Sequence, residues 1–508
     1  MSSLEEQLSA QAALCRLTPN VARPWAALAR MLLDAGRAAE AISAAETALA
    51  LGPDEPGALA VRAGALADLQ AMDPMLAALE ISAVLRPNDP AAPLELGHSY
   101  AELGQAQAAE RAFKRVLALD PASAPAHAGL GALYLSVGID DGAEHHSLAA
   151  LERQPGHAVA SQTLAALLEA RGEYAAAQAR LDEAYARQSL FVEPAASGRM
   201  MVLVLATQSS GNVPYRHLMP PRLYSRLVWY MEHARPEQMA DLPDYDVVFN
   251  AIGDADLAGP SAEAVDLFLT HCSKRALNQP DRVARTRRDR LPAVLDGIDG
   301  VIAPKAVRVS SATGARLTAA AAAAGLKAPV LVRPAGSHGG KGLVRVDRLA
   351  DLDGAGEALA GEDAYLTQFH DYRSEDGRYR KGRVVFVDRR PFPYHWAVAD
   401  HWLAHYETAG MASAAERQAE ERRFLEAPQM ALGESAWRAI GRIGERLDLD
   451  YAGLDFSILP DGRVLVFEAN ATMLVHPEAA VGEFAYKNPA VDRIVNAFQA
   501  LLAEAAEA

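Results

Sequence analysis

Prolines at 19, 53, 87, 121 and 155 stand 34 residues apart, and glycines at 36, 104, 138 and 172 fall on the same period, with Gln70 at the missing step. No other feature constrains the fold of this chain so tightly. A proline cannot continue a helix, so each one ends a helical run such as Ala112-Phe-Lys-Arg-Val-Leu-Ala-Leu-Asp-Pro121. Each glycine lies between two helical patterns and permits the tight turn that joins them. The first third of the chain is therefore predicted to be an array of helix hairpins, each burying its apolar face only by stacking on its neighbours.

The period, and the phrase Leu96-Gly-His-Ser-Tyr-Ala-Glu-Leu-Gly-Gln-Ala-Gln-Ala-Ala-Glu110, resemble tetratricopeptide repeats over residues 1–188. That resemblance implies a right-handed superhelix whose concave face binds a peptide or protein partner. Arrays of this kind also serve for rigidity or for assembly of a homo-oligomer.

Composition narrows the setting. Half of the 508 residues are apolar, enough for several cores, and a net charge of -16 argues against a general nucleic-acid or anionic-membrane binder. Cys15 and Cys272 are the only cysteines, too few for a disulfide framework or a cysteine metal site. The start Met-Ser-Ser-Leu-Glu-Glu has no basic segment followed by an apolar run, and no uninterrupted apolar stretch approaches membrane-spanning length. A soluble, cytoplasmic protein is expected, with neither nucleic acid nor membrane as partner.

After the repeats (1–190), a linker is expected at 191–198, around Glu193-Pro-Ala-Ala-Ser-Gly198. Short apolar runs at Met200–Ala206, Arg226–Met231 and Asp246–Gly253, then an amphipathic helix at Ala262–Cys272, predict a small parallel-sheet domain over 199–305. Two further lobes are expected at 306–370 and 371–508.

Two motifs carry chemistry. In Pro329-Val-Leu-Val-Arg-Pro-Ala-Gly-Ser-His-Gly-Gly-Lys-Gly-Leu-Val-Arg-Val346, apolar strands flank a loop rich in glycine, so backbone can fold over an anion while Lys341 supplies charge. It lacks P-loop spacing and reads as a strand-loop-strand flap. Farther on, Gly453-Leu-Asp-Phe-Ser-Ile-Leu-Pro-Asp-Gly-Arg-Val-Leu-Val-Phe-Glu-Ala-Asn470 reads as a hairpin turning at Pro460-Asp461-Gly462. Its pairing brings Asp455, Glu468 and Asn470 to one end of two strands. Three hard oxygen donors there suit Mg2+ bridging nucleotide phosphates.

Together these motifs resemble the ATP-grasp superfamily, especially the ribosomal-protein glutamate ligase and D-alanine–D-alanine ligase branches, over about residues 199–500. The chain is thus expected to be multidomain, an all-α helical-repeat solenoid followed by an α/β ATP-grasp fold. The resemblance implies ATP with Mg2+, or Mn2+, as cofactors, and a metal held by Asp455, Glu468 and Asn470. It places Arg333 at the usual strand lysine, Ser337, Gly339, Gly340, Lys341 and Gly342 in the phosphate flap, and Gln368 and Phe369 at adenine. Arg290, in Arg288-Asp-Arg-Leu291, aligns with an earlier ATP-contacting lysine.

Gly453 stands where D-alanine ligases place an arginine for the tetrahedral intermediate, so Arg383 and Lys381, with Arg380 beside them, are the candidates to meet charge in its place. A solvated basic turn is the plainer reading of that cluster. His401 and His405 have the spacing of a zinc pair on a helix, but the accompanying glutamate is missing, and acceptor binding or partly buried packing suits them better. His476, Tyr486 and Lys487 are expected near the same acceptor space. The reading is an ATP-dependent carboxylate–amine (or thiol) ligase working through an acyl phosphate, on a small-molecule or peptide acceptor. Alternatives are phosphoryl transfer to a stable product, or a nucleotide-binding scaffold whose repeats carry the function.

Overall fold

The computed structural model describes residues 4–507 apart from 53–54, 56, 63–73, 196–199, 209–210, 221–222, 338, 407 and 479–481. Pro53, Gln70 and His338, and part of the expected linker, thus lie outside the described residues. Two compact units divide the chain, Met1–Gln188 and Ser189–Ala508.

Among the described residues, the regular elements of the first unit are helices. Ala22–Asp34 with Ala38–Leu51, Ala91–Glu102 with Ala106–Leu119, Ala124–Ser136 with Asp140–Arg153, and Ala158–Ala170 with Tyr174–Arg187 form successive hairpins. Helices end at Leu17, Leu85, Leu119 and Arg153, each two residues before a proline of the period. At the corners Gly36, Gly104, Gly138 and Gly172 the backbone is left-handed, with φ between +69° and +81°. The residue after each glycine donates its N–H to a carbonyl five positions back, as Gln105 does to Tyr100 and Ile139 to Tyr134 at 2.8 Å. This closure satisfies helix-end carbonyls, and it needs a residue that tolerates positive φ. Small residues then let the pairs approach: a Cβ at Gly97 or Gly129 would fall 2.5 Å from the Phe113 ring.

The second unit holds three sheets. The first has strand order β1(Leu190–Glu193), β3(Ser225–Tyr230), β2(Met201–Ala206), β4(Val247–Asn250), β5(Ala276–Leu277). β2 to β5 run parallel, as the buried apolar runs predict, while β1 pairs antiparallel with β3. Residues 191–193, expected in the linker, are therefore sheet. The reason is visible at Arg226, which is 1% exposed and whose guanidinium takes Glu193 at 2.7 Å, so β1 supplies the partner of a buried cation.

A four-stranded sheet, β7(Ala306–Val309), β10(Ala364–Gln368), β8(Val330–Pro334), β9(Val344–Val346), carries the flap between its last two strands. The third sheet is ordered β12(Arg390–Ala399), β11(Tyr379–Val387), β13(Tyr451–Ile458), β14(Val464–Asn470), β6(Val301–Ile302). The helix Asn488–Glu507 ties the first and third sheets together, because Ile494, Phe498 and Leu502 enter one core with Phe249 of β4 and Val385 and Tyr451 of the third sheet. Asn278, at φ 57° and fully buried, donates its N–H to Asp450 at 2.7 Å and its amide to the Tyr451 carbonyl at 3.0 Å. Those bonds fix the strand that bears the acids.

Candidate active site

Register aligns the charged groups. Arg383 of β11 lies opposite Asp455 of β13, Asp455 lies opposite Glu468 of β14, and Gly453 lies opposite Asn470. Alternation puts Lys381 on the face of Arg383. Asp455 is fully buried, and its two oxygens meet Arg383 at 2.6 and 2.9 Å and Lys381 at 2.7 Å. Burial alone would raise this carboxyl, but the Arg383 and Lys381 charges override it and hold it far below the usual carboxylate range. Glu468, paired with Arg288 and 3.7 Å from Arg333, is likewise depressed against its burial. Burial and the neighbouring Arg288 charge push the Arg333 guanidinium down to about 10.

These groups wall a cleft between the flap-bearing sheet and the third sheet. Four cationic side chains, Arg288, Arg333, Lys381 and Arg383, line it against two carboxylates, Asp455 and Glu468. Apolar side chains, Leu331, Phe369 and Leu465 among them, line it as well. Gly339 and Gly340 reach in from the flap, where residues 336, 339, 340 and 342 are left-handed glycines with φ from +62° to +76°. Arg333 donates to the Ser337 carbonyl and hydroxyl, and Ser337 donates to the Pro334 carbonyl at 2.8 Å, so the flap is pinned at its base.

A second cavity adjoins the same carboxylates, with Asn470, Tyr394, His395, His405 and Tyr406 among its lining residues. Asp455, Glu468 and Asn470 thus meet at one wall, as their spacing predicts, with the Thr472 hydroxyl donating to Asn470 Oδ1 at 3.1 Å. The donor set of two facing carboxylates and an amide suits a hard divalent ion, and both Asp455 oxygens also pair with Arg383 and Lys381. Among the described residues no group of three or more His, Cys, Asp or Glu side chains is placed to hold a metal.

Several expectations need correction. Arg380 points to the opposite face of β11, where it pairs with Glu420 at 2.6 Å and Asp376 at 2.9 Å, because odd and even strand positions alternate. Arg290 is exposed and Arg288, two residues earlier, reaches the cleft. Lys341 is exposed on the flap and lines neither cavity. Gln368 lines the cleft, its side-chain amide accepting from the Lys327 N–H at 2.9 Å and donating to the Lys327 carbonyl at 2.8 Å. Phe369 lines the cleft too, beneath the Arg345 guanidinium at 4.5 Å. His401 and His405 lie in an irregular segment, so no helix presents them together; His401 is exposed, while His405 lines both cavities. His476, Tyr486 and Lys487 line neither: Tyr486 donates to Glu421 at 2.6 Å, and Lys487, buried and paired with Glu478, stands 4.5 Å from the Tyr406 ring.

Sequence reasoning missed Arg288, His395 and Glu421. His395 carried a signal, since in antiparallel pairing it falls opposite Arg383. Gly453 is packed over by Met473, which a Cβ there would overlap.

No protein-family model matches the chain, and no curated protein matches it. Solved structures are similar to it in two parts. One is a D-alanine–D-alanine ligase from Bacillus anthracis complexed with ATP, 13% identical, with a TM-score of 0.36, covering 60% of this chain and 99% of that one. Another is a carboxyaminoimidazole ribonucleotide synthase from Aspergillus clavatus complexed with ATP, 14% identical, with a TM-score of 0.36, covering 57% and 76%. A third is YrrB, a TPR protein with a peptide-binding site, 21% identical, with a TM-score of 0.21, covering 35% and 92%. The neighbours are tetratricopeptide-repeat proteins and ATP-grasp ligases. At these identities the likeness concerns fold, and the chemistry has to come from the side chains.

Proposed function

We propose that the second unit is an ATP-dependent, ADP-forming ligase that joins a carboxylate to an amine through an acyl phosphate. The observation that carries this reading is the cleft in which four cations face two carboxylates beneath a glycine flap, with apolar side chains also in its lining. Such a surplus of positive charge matches a polyphosphate, and the apolar lining at Phe369 matches a flat heterocycle. Arg333 and Arg288 bind the phosphates, the flap backbone covers them, and Lys381 and Arg383 meet the charge that develops when a carboxylate oxygen attacks the γ-phosphorus. Asp455, Glu468 and Asn470 would hold Mg2+, which would supply charge neutralisation for the phosphates. The second cavity then takes the acceptor, and the repeats recruit a peptide or protein bearing it.

The test is calorimetry with ATP and Mg2+, followed by mass analysis of products formed from ATP with pooled carboxylates and amines. Binding with ADP release and a condensed product supports the ligase. A stable phosphorylated product would instead identify a phosphotransferase, and absence of nucleotide binding by folded protein would end both readings.

A further inference from the structure

We propose that His395 accepts the proton of the incoming amine, with Glu421 as the residue that positions its ring. The proposal deepens the ligase reading and rests on it. β12 places His395 opposite Arg383, so the imidazole extends the row Arg383, Asp455, Glu468 across the sheet and lines the second cavity. The row ends where an acceptor would enter.

Two tyrosine rings pack against the imidazole. Tyr406 stacks on it at 4.4 Å and 27°, and Tyr394 lies at 4.0 Å and 46°. Its side chain keeps 15% exposure, while Nδ1 is buried and has no hydrogen-bond partner. The open edge is therefore the one that carries Nε2. Nδ1 stands 3.9 Å from Glu421 Oε1, too long for a hydrogen bond but aimed at a carboxylate that is itself fixed. Glu421 accepts the Trp396 N–H at 3.0 Å on Oε1, and Tyr406 and Tyr486 hydroxyls at 2.8 and 2.6 Å on Oε2. With three donors already on it, this carboxylate is an acceptor, and the group it can still accept is His395 Nδ1–H. Such pairs often tighten only when substrate binds.

A proton on Nδ1 leaves the Nε2 lone pair facing the cavity. The groups around the ring keep it neutral: burial acts first, the Lys487, Arg383 and His476 charges add to it, and Asp455 opposes them. Glu421 is also raised by burial, against its hydrogen bonds and the Lys487 charge. In the step itself, the amine nitrogen bonds to the acyl carbon, the carbon–oxygen bond to phosphate breaks, and phosphate leaves with the electron pair. The N–H proton passes to His395 Nε2 and then to solvent.

Two measurements test this on the full chain. In protein carrying 15N-labelled histidine, the His395 resonances, assigned by their loss in His395→Gln, are expected to report a neutral Nδ1–H tautomer across about pH 6 to 8. Glu421→Gln should lower the Nδ1–H fraction, whereas Tyr406→Phe, which leaves the carboxylate charge in place, should not. With the substrates returned by the product screen, His395→Gln should form at least tenfold less ligated product per ADP released. Hydroxylamine, which attacks unprotonated at neutral pH, should restore the ratio. An Nε2–H tautomer, or an unchanged product-to-ADP ratio, overturns the proposal. If no donor yields ADP, the ligase reading fails, and the tautomer alone decides the placement of His395.

Discussion

Asp455 is a carboxylate with no exposure to water, kept charged by two cations whose nearest atoms lie within 3 Å. An acid buried this way is stabilising only while both partners remain, since removing one leaves an uncompensated charge inside. Glu468→Gln removes the negative charge that pairs with Arg288 and that a divalent ion at this wall would require. Turnover is expected to fall on the order of a hundredfold, while nucleotide affinity measured by calorimetry changes much less, because the apolar lining at Phe369 is untouched. Gly453→Ala is expected to lower Tm without a change in the charged row, since the added methyl overlaps Met473; a Met473→Ala, Gly453→Ala double variant should recover part of the loss. The acids were legible in the sequence because their hairpin turn and spacing fix a register. Arg288 was harder to read: three arginines crowd residues 287–290, and only the loop path decides which one turns inward.

At the scale of elements, the 34-residue period was readable because it is written in proline and glycine, whose backbone limits do not depend on tertiary context. Gly104→Ala, at φ +69°, should destabilise the first unit by about 1 kcal/mol in denaturant unfolding. The histidine pair in the same unit gives a pH dependence. His127 and His146 face each other through Nδ1 atoms 2.9 Å apart, and burial with the His127 charge pushes His146 down to about 4. Because the unfolded chain then binds that proton more tightly, stability should fall as pH drops from about 6.5 toward 4, and His146→Gln should flatten this part of the Tm profile. Histidines four apart at 401 and 405 would fit a helix face, but the segment packs as an irregular strap.

For the whole molecule, composition separated a helical array from an α/β unit but misplaced the seam. The residues after Gln188 belong to the second unit, because Arg226 is buried and needs Glu193. A fragment beginning at 189 should fold and show the same affinity for Mg-ATP in calorimetry as the full chain. One beginning at 199 lacks β1 and should lose on the order of 3–5 kcal/mol, or fail to fold, as expected for stranding a buried charge. Equal urea midpoints for the two fragments would show that β1 is dispensable.

The helix Asn488–Glu507 seals a core whose other walls include strands laid down nearly three hundred residues earlier, at 201–206. During synthesis those strands emerge long before their cover does. The repeat array, in which each hairpin leans only on the next, can close turn by turn as it leaves the ribosome. The second unit cannot, and its first sheet must wait with one face open, making the nascent chain a candidate for chaperone capture over that interval.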